Sequence, residues 1–261
     1  MTFTADQFRL DGKVAVVTGA GGRGNSIGRA YALGVAEAGA AVVVADLNEA
    51  GAKDVADEIG GRGGKAIGVG VDIADPLRVQ KMAQAASDAF GGIDILVNNA
   101  ALMLELGALQ AADVELAAWN RLLAVNLTGA LLCSQAMIPS MRQRGGGRIV
   151  NQVSGGGFPA VSLYGVSKLA LTGLTTTLAK QLGRDNITCN AIAPGNVRSE
   201  AGAALAPEGS PFAQFLAASV CTRASGEPDE LVGTLLLLCS PAGAWITGQT
   251  IHVDGGWVLR P

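Results

Sequence analysis

Val14-Ala15-Val16-Val17-Thr18-Gly19-Ala20-Gly21-Gly22-Arg23-Gly24-Asn25-Ser26-Ile27-Gly28 is the stretch that decides how this chain folds. Four apolar residues and a threonine read as a buried strand, and the glycine-rich run that follows reads as a turn. Helical spacing then runs from about Ser26 to Ala38. Glycines let a backbone come close to an anionic ligand. The helix behind them presents unpaired N–H groups and the positive end of its dipole. Such a turn suits a pyrophosphate, provided that the unit continues into a second strand.

It does continue. Val42–Ala45 is the second strand, Glu49–Ile59 a helix, Ala66–Val71 the third strand, Pro76–Phe90 a helix and Ile93–Val97 the fourth strand. Helical patterns near 112–142 and 162–183 flank a fifth strand, Arg148–Asn151; Ile187–Ile192 is the sixth, and Val253 lies on the last. Alternation at this spacing builds right-handed βαβ units in a parallel sheet. Nearly continuous apolar strands require cover on both faces. The expectation is an α/β fold: a single doubly wound Rossmann-type domain over residues 1–261, its parallel seven-stranded sheet carrying helices on both faces. Ligands of such a sheet bind beyond the carboxyl ends of its strands. Residues 195–225, rich in Ala, Gly and Pro, are the least regular stretch and are expected to form a substrate lid.

Composition narrows the function classes. Of 261 residues, 49% are hydrophobic and 16% charged, which excludes a disordered chain. Thirty-seven glycines are about twice the usual ~7% and follow no triplet period. A net charge of −3 supplies no basic footprint for nucleic acid or anionic lipid, and 4% aromatics give little stacking platform. Cys133, Cys189, Cys221 and Cys239 show no CxxC spacing, so neither a disulfide framework nor a zinc site is expected, and a reducing cytoplasm is the default. One histidine and scattered carboxylates point to no metal site. That histidine, His252, reads as structural. The N-terminal segment has no continuous apolar signal region. Two uncharged stretches, Leu122–Met141 and Leu231–Val253, are broken by Asn126, Gln135 and Pro139 and by Pro241, Gly243 and Gly248. A soluble protein with no membrane span is expected.

Asp46 closes the second strand, 27 residues after Gly19. A carboxylate there can accept hydrogen bonds from both adenosine ribose hydroxyls and repels a 2′-phosphate, which favours NAD over NADP. Its competing reading is a helix N-cap. Arg23 is the counter-argument, since a guanidinium can accommodate the phosphate; otherwise it is a solvated loop residue. Asp72 and Asn98 follow the third and fourth strands and either hydrogen-bond adenine or cap loops.

Tyr164 and Lys168 stand i,i+4 on a helix and share a face. A phenol of pKa ~10 shuttles protons poorly at neutral pH. An adjacent ammonium favours the phenolate, which makes an acid/base suited to a carbonyl or alcohol oxygen. Ser154 follows the fifth strand and can hold the same oxygen. Asn126 lies in an apolar helix (LLAVNLTG) and reads as a buried amide with something to satisfy.

With these residues in view, the chain resembles the short-chain dehydrogenase/reductase family over essentially its whole length. The resemblance is carried by Thr18–Gly19 with Ile27–Gly28, Asp72–Ile73, Asn98-Asn99-Ala100-Ala101, Asn126, Ser154, Tyr164-Gly165-Val166-Ser167-Lys168, Pro194–Gly195 and Val253-Asp254-Gly255-Gly256. It implies a catalytic tetrad of Asn126, Ser154, Tyr164 and Lys168. Tyr164 would exchange the proton and Ser154 hold the substrate oxygen. Lys168 would lower the tyrosine pKa and bind the nicotinamide ribose, and Asn126 would fix a water linking Lys168 to solvent. The implied cofactor residues are Gly19, Ser26, Ile27, Asp46, Leu47, Asp72, Ile73, Asn98 and Ala100, with Tyr164, Lys168, Val197 and Ser199 around the nicotinamide. A homotetramer is implied as well, and the apolar helix Leu122–Met141 is compatible with a subunit interface. Three features depart from the family pattern. Six residues separate Gly19 from Ser26, which stands where a glycine is usual; Ala101 replaces the last glycine of NNAG; and Ser154 precedes Tyr164 by ten residues rather than about thirteen.

The expected substrate walls are Leu102–Leu106, Gly155–Leu163 and the lid with Phe212 and Phe215, mostly apolar, with Glu105, Glu200, Glu208 and Arg198 interspersed. Met103 and the phenylalanines could equally be packing. The leading reading is an NAD-dependent dehydrogenase or ketone reductase for a neutral, rather hydrophobic secondary alcohol or ketone, including cyclic or steroid-like compounds. The alternatives are an NADPH-dependent 3-oxoacyl-thioester reductase and a non-catalytic nucleotide-binding protein.

Overall fold

The computed structural model describes residues 2, 4–22, 24–103, 110–158, 160–223 and 225–259. Its sheet has seven parallel strands in the order β3-β2-β1-β4-β5-β6-β7: β1 (Val14–Thr18), β2 (Ala41–Asp46), β3 (Lys65–Gly70), β4 (Ile95–Asn98), β5 (Gly147–Gln152), β6 (Ile187–Pro194) and β7 (Thr250–Val253). The expected doubly wound α/β sheet is therefore present, each strand within two or three residues of its sequence reading.

Successive strand residues point to opposite faces, and each face has its own core. Ala15, Val17, Val42, Val44, Ile95 and Val97 pack with α1 (Ile27–Glu37), α2 (Glu49–Gly61) and α9 (Val232–Cys239). Val16, Val43, Ala45, Leu96 and Ile149 pack with α3 (Pro76–Phe90), α5 (Ala130–Gln143) and α6 (Leu163–Leu182). Two-sided burial explains why β1 is apolar at consecutive positions instead of alternating. Helix starts follow local chemistry. The Ser26, Asn48, Asp75 and Ser162 side chains accept the N–H of Arg29, Gly51, Leu77 and Gly165, which caps α1, α2, α3 and α6.

Two features depart from the sequence reading. The helix around Asn126 is not α-helical throughout: α4 (Leu116–Leu123) passes into a π-helical segment, Ala124–Gly129, before α5. Together Leu116–Gln143 is long and apolar enough to cross a membrane by length and composition, but 44% of its most apolar window is buried within the fold. In the segment expected to be irregular, α7 (Glu200–Leu205) and α8 (Pro211–Ser219) form because Ser199 and Ser210 cap them through Gly202 N and Ala213 N.

At the centre of the sheet Asn151 is fully buried. Its Oδ1 accepts from Asn98 Nδ2 at 2.9 Å and its Nδ2 donates to Thr175 Oγ1 at 2.9 Å, joining β4, β5 and α6. Asn151→Ala should lower stability by about 2 kcal/mol, since it strands buried partners. Urea unfolding checks this; a loss below ~0.5 kcal/mol would show that the network contributes little.

Candidate active site

A cleft of about 1420 Å³ opens across the carboxyl ends of the strands. On one side it is lined by Gly19, Ser26, Ile27, Asp46, Leu47, Asp72, Ile73 and Ala100. Gly19 has φ 66°, and a Cβ there would stand 2.6 Å from Ala100 Cα, so both its conformation and its neighbour require glycine. The turn is held from below by the adjoining strand ends. Thr18 Oγ1 accepts the N–H of Asn99 (3.1 Å) and Ala100 (3.2 Å), and Asn99 Nδ2 donates to Thr18 O and Gly19 O, both at 2.9 Å. Asn99, which sequence reasoning had not assigned, is thus the brace on the cleft wall. Asn98 lies beneath the wall, its amide committed to Asn151.

Asp46 is not a helix cap; Asn48 fills that position. The Asp46 carboxylate accepts Gly21 N on Oδ2 and Asn48 N on Oδ1, both at 2.9 Å. Each oxygen has a further lone pair for a ribose hydroxyl. The glycine turn, the N-terminus of α1 and this carboxylate fit an adenine dinucleotide. Deeper in the cleft wall stands Gln152, whose Oε1 is buried and has no hydrogen-bond partner among the described residues, an acceptor suited to a hydroxyl-bearing ligand. Arg23, set against Asp46 in the NAD-or-NADP question, falls outside the described residues, as do Glu105 and the neighbouring wall at 104–109.

Ser154, Tyr164, Val197 and Ser199 line the other part of the cleft. Ser154 Oγ accepts Gly156 N at 3.1 Å, which leaves its own hydrogen free to donate. Lys168 is fully buried behind Tyr164, with Nζ 5.4 Å from the phenol ring centroid and donating to Gln152 O at 2.8 Å. Asn126 holds this corner together. Its Oδ1 accepts Leu102 N (2.8 Å), and its Nδ2 donates to Leu102 O (3.0 Å) and Ser167 Oγ (3.0 Å). Ser167 Oγ in turn donates to Tyr164 O at 2.7 Å. Both amide hydrogens of Asn126 are therefore spent on protein, and its side chain ties the loop after β4 to the tyrosine helix.

Burial acts on both members of the Tyr–Lys pair against charge. It pushes the Tyr164 phenol above its ordinary value and lowers the Lys168 ammonium to about 7. The lowered tyrosine pKa expected from the ammonium is thus absent from the chain by itself.

Helices α7 and α8 contribute Leu205, Phe212, Phe215 and Leu216, with Glu200 among them, and the two phenylalanine rings stack 6.4 Å apart. They belong to the cleft wall as well as to the packing. Arg198, a charge expected among the apolar wall residues, is paired with Glu227 at 2.6 Å. Arg121 of α4 also reaches the wall, and so do Trp257, Val258 and Leu259 near the chain's end, none of which the sequence reading had placed there. His252 contacts the Phe158 ring edge-on and stands 3.3 Å from Asp254 Oδ2, in keeping with a structural role. No group of His, Cys, Asp and Glu among the described residues has metal-site geometry.

A family model described as enoyl-(acyl carrier protein) reductase matches residues 22–258. An uncharacterized oxidoreductase of Mycobacterium tuberculosis is 42% identical over 96% of this chain and 99% of its own length. A 3-oxoacyl-[acyl-carrier-protein] reductase of Synechocystis is 38% identical over 96% and 98%. Among solved structures, a short-chain type dehydrogenase/reductase from Mycobacterium marinum superposes with TM-score 0.89 at 34% identity, covering 98% of this chain and 99% of the other. A 7α-hydroxysteroid dehydrogenase complexed with NADH and 7-oxo-glycochenodeoxycholic acid gives 0.90 at 35% identity, covering 99% of both chains.

The burial of Lys168 has a measurable consequence. Its pKa falls from 10.5 to about 7 on folding, so between those values the unfolded chain binds more protons than the folded one. The penalty is complete below pH 7 and is lifted as pH rises toward 10.5, with a slope of up to about 1.4 kcal/mol per pH unit. Lys168→Met should therefore gain most over the parent at pH 6.5, and the gain should shrink by pH 9.5. Urea midpoints at both pH values check it; a gain independent of pH would mean the ammonium stays charged when folded.

Proposed function

Since the chain belongs to the short-chain dehydrogenase/reductase family of NAD(P)-binding oxidoreductases, we propose that it moves a hydride between NAD(H) and a neutral, rather hydrophobic secondary alcohol or ketone. The observation that carries this reading is the corner where Tyr164 and Ser154 face the cleft with Lys168 Nζ behind the phenol, held by Gln152 O. The glycine turn and Asp46 would hold NAD(H), which would supply or accept the hydride when bound. In the reductive direction the carbonyl carbon gains that hydride and its π pair moves onto oxygen. Ser154 donates a hydrogen bond to that oxygen, and Tyr164 delivers the proton. Oxidation runs the same steps backwards, with the phenolate taking the alcohol proton. A protonated Lys168 stabilises that phenolate, and its position also suits the nicotinamide-ribose hydroxyls. Asn126 keeps the corner in register through Ser167.

The compartment and assembly follow the same reading. Four free thiols suit a reducing cytoplasm. Exposed Leu116 on α4 and Val166 and Leu169 on α6 suit helix-packed contacts in a homotetramer. The chain is read as one domain, with residues 195–225 as its substrate lid. A 3-oxoacyl-thioester reductase using NADPH is the second reading, favoured by the Synechocystis relative and opposed by Asp46, which repels a 2′-phosphate.

Tyr164→Phe should lower kcat by at least ~100-fold while NADH affinity changes by less than about twofold. Steady-state rates and fluorescence titration check it; unchanged turnover would remove Tyr164 from the chemistry, whereas a parent that binds NADH but turns over no ketone or alcohol would leave the binding protein as the better reading. The parent should bind NADH more tightly than NADPH, and Asp46→Ala should move that ratio toward NADPH by about tenfold. An unmoved ratio would take Asp46 off the ribose.

A further inference from the structure

Past the last strand the chain turns back toward the cleft. Asp254, whose carboxylate is almost wholly buried, accepts Gly256 N on Oδ1 and Val258 N on Oδ2, both at 2.9 Å, and its own carbonyl accepts Trp257 N at 3.3 Å. The end of the lid fastens to the same turn, since Cys221 N and Thr222 N donate to Gly255 O at 2.9 and 3.0 Å. This bracket carries Trp257 onto the backbone just after Ser154. A Cβ built on Gly155 would stand 2.9 Å from Trp257 Cε3 and 3.1 Å from Cζ3, and one on Gly156 3.8 Å from Cη2 and 3.5 Å from Ser154 Oγ. One edge of the indole therefore runs along Gly155 and Gly156 beside the serine hydroxyl. The glycines of this shortened loop are what let so large a ring lie there.

We infer that Trp257 is the specificity-determining residue of the substrate site, a flat apolar platform beside Ser154 on which a fused-ring alicyclic ketone or alcohol lies. The inference rests on the hydride-transfer reading for the identity of the reacting group. An indole presents a large rigid face at little entropic cost, and a flat alicyclic skeleton covers more of it than a short chain does. Phe212, Phe215 and Leu216, further apolar side chains of the cleft, come from the 195–225 segment, whose end is fastened at Gly255 O to the same turn that carries the tryptophan. Trp257 is a positioning residue and takes no part in proton or hydride movement.

The test uses the full chain with NADH, 2-decalone as fused-ring probe and butanone as small ketone. The parent, Trp257→Ala, Trp257→Phe, Gly155→Ala and the double variant are compared by initial rates and by calorimetric Kd for 2-decalone. Trp257→Ala should raise both KM and Kd for 2-decalone about tenfold with kcat within about twofold, leave butanone unchanged, and be largely rescued by Trp257→Phe. Gly155→Ala should weaken 2-decalone binding in the parent by displacing the indole, and have a clearly smaller effect once Trp257 is gone, when the Pro194 carbonyl at 3.3 Å is the close contact left. Equal effects of Gly155→Ala in both backgrounds, an unchanged Kd in Trp257→Ala, or no binding of 2-decalone by the parent would each overturn the inference. Gly155→Ala keeps Trp257 in the chain, so the question stays decidable if Trp257→Ala does not fold; an unchanged Kd in Gly155→Ala would then count against it. Turnover of 2-decalone without dependence on Trp257 would sink this proposal alone. Trp257-dependent binding without turnover of either ketone would sink the hydride-transfer reading and leave the platform standing.

Discussion

Everything at the cleft depends on how β1 and β4 are joined at their carboxyl ends. From β1 the chain winds outward to β2 and β3, whereas from β4 it winds the other way through β5, β6 and β7. Loops that leave neighbouring strands in opposite directions open a crevice between them. Left alone, their backbone groups would be unpaired. The Thr18 hydroxyl accepts two N–H groups of the β4 loop, and the Asn99 amide returns two hydrogen bonds to Thr18 and Gly19. That exchange sets the edge from which the glycine turn, Asp46 and the wall after β4 take their places.

A second constraint lies on the other side of the crevice. Lys168 is buried where no carboxylate among the described residues is paired with it, and its Nζ donates to the carbonyl of Gln152 at the end of β5. Burial costs such a group dearly, so the fold holds it by geometry: α6 is anchored to β5 through Thr175 and Asn151, and to the loop after β4 through Ser167 and Asn126. Burial drives both Tyr164 and Lys168 toward their neutral forms, so in the chain by itself the phenol keeps its proton and Lys168 is the member that titrates near neutral pH. The π-helical segment places Asn126 in this corner. Such segments have few sequence signs because they differ from an α-helix only in which carbonyl each N–H meets.

Much of this was legible from local sequence. Strands buried on both faces announce themselves as apolar runs, and Ser26, Asn48 and Asp75 mark helix starts that the structure uses. The i,i+4 spacing of Tyr164 and Lys168 puts both on one face wherever that stretch is helical, as it is in α6. Other residues were read only in part. Asn98 and Asn99 are neighbours of the same type, and nothing in their order says that the first is drawn into the Asn151 network while the second braces the turn. Ser199 and Ser210 were available as caps, yet the Ala, Gly and Pro around them hid α7 and α8.

The sequence by itself determined the alternating elements, the parallel sheet, the glycine turn and the identity of the groups that face its carboxyl edge, because these follow from periodicity and from chemistry between near neighbours. Only the tertiary structure decided which side chains at that edge reach the cleft, which way burial moves the Tyr164 and Lys168 protons, and that Trp257 returns to lie on Gly155. Those outcomes depend on contacts between residues up to about a hundred positions apart, where packing geometry and the loss of water act and where no spacing rule reaches.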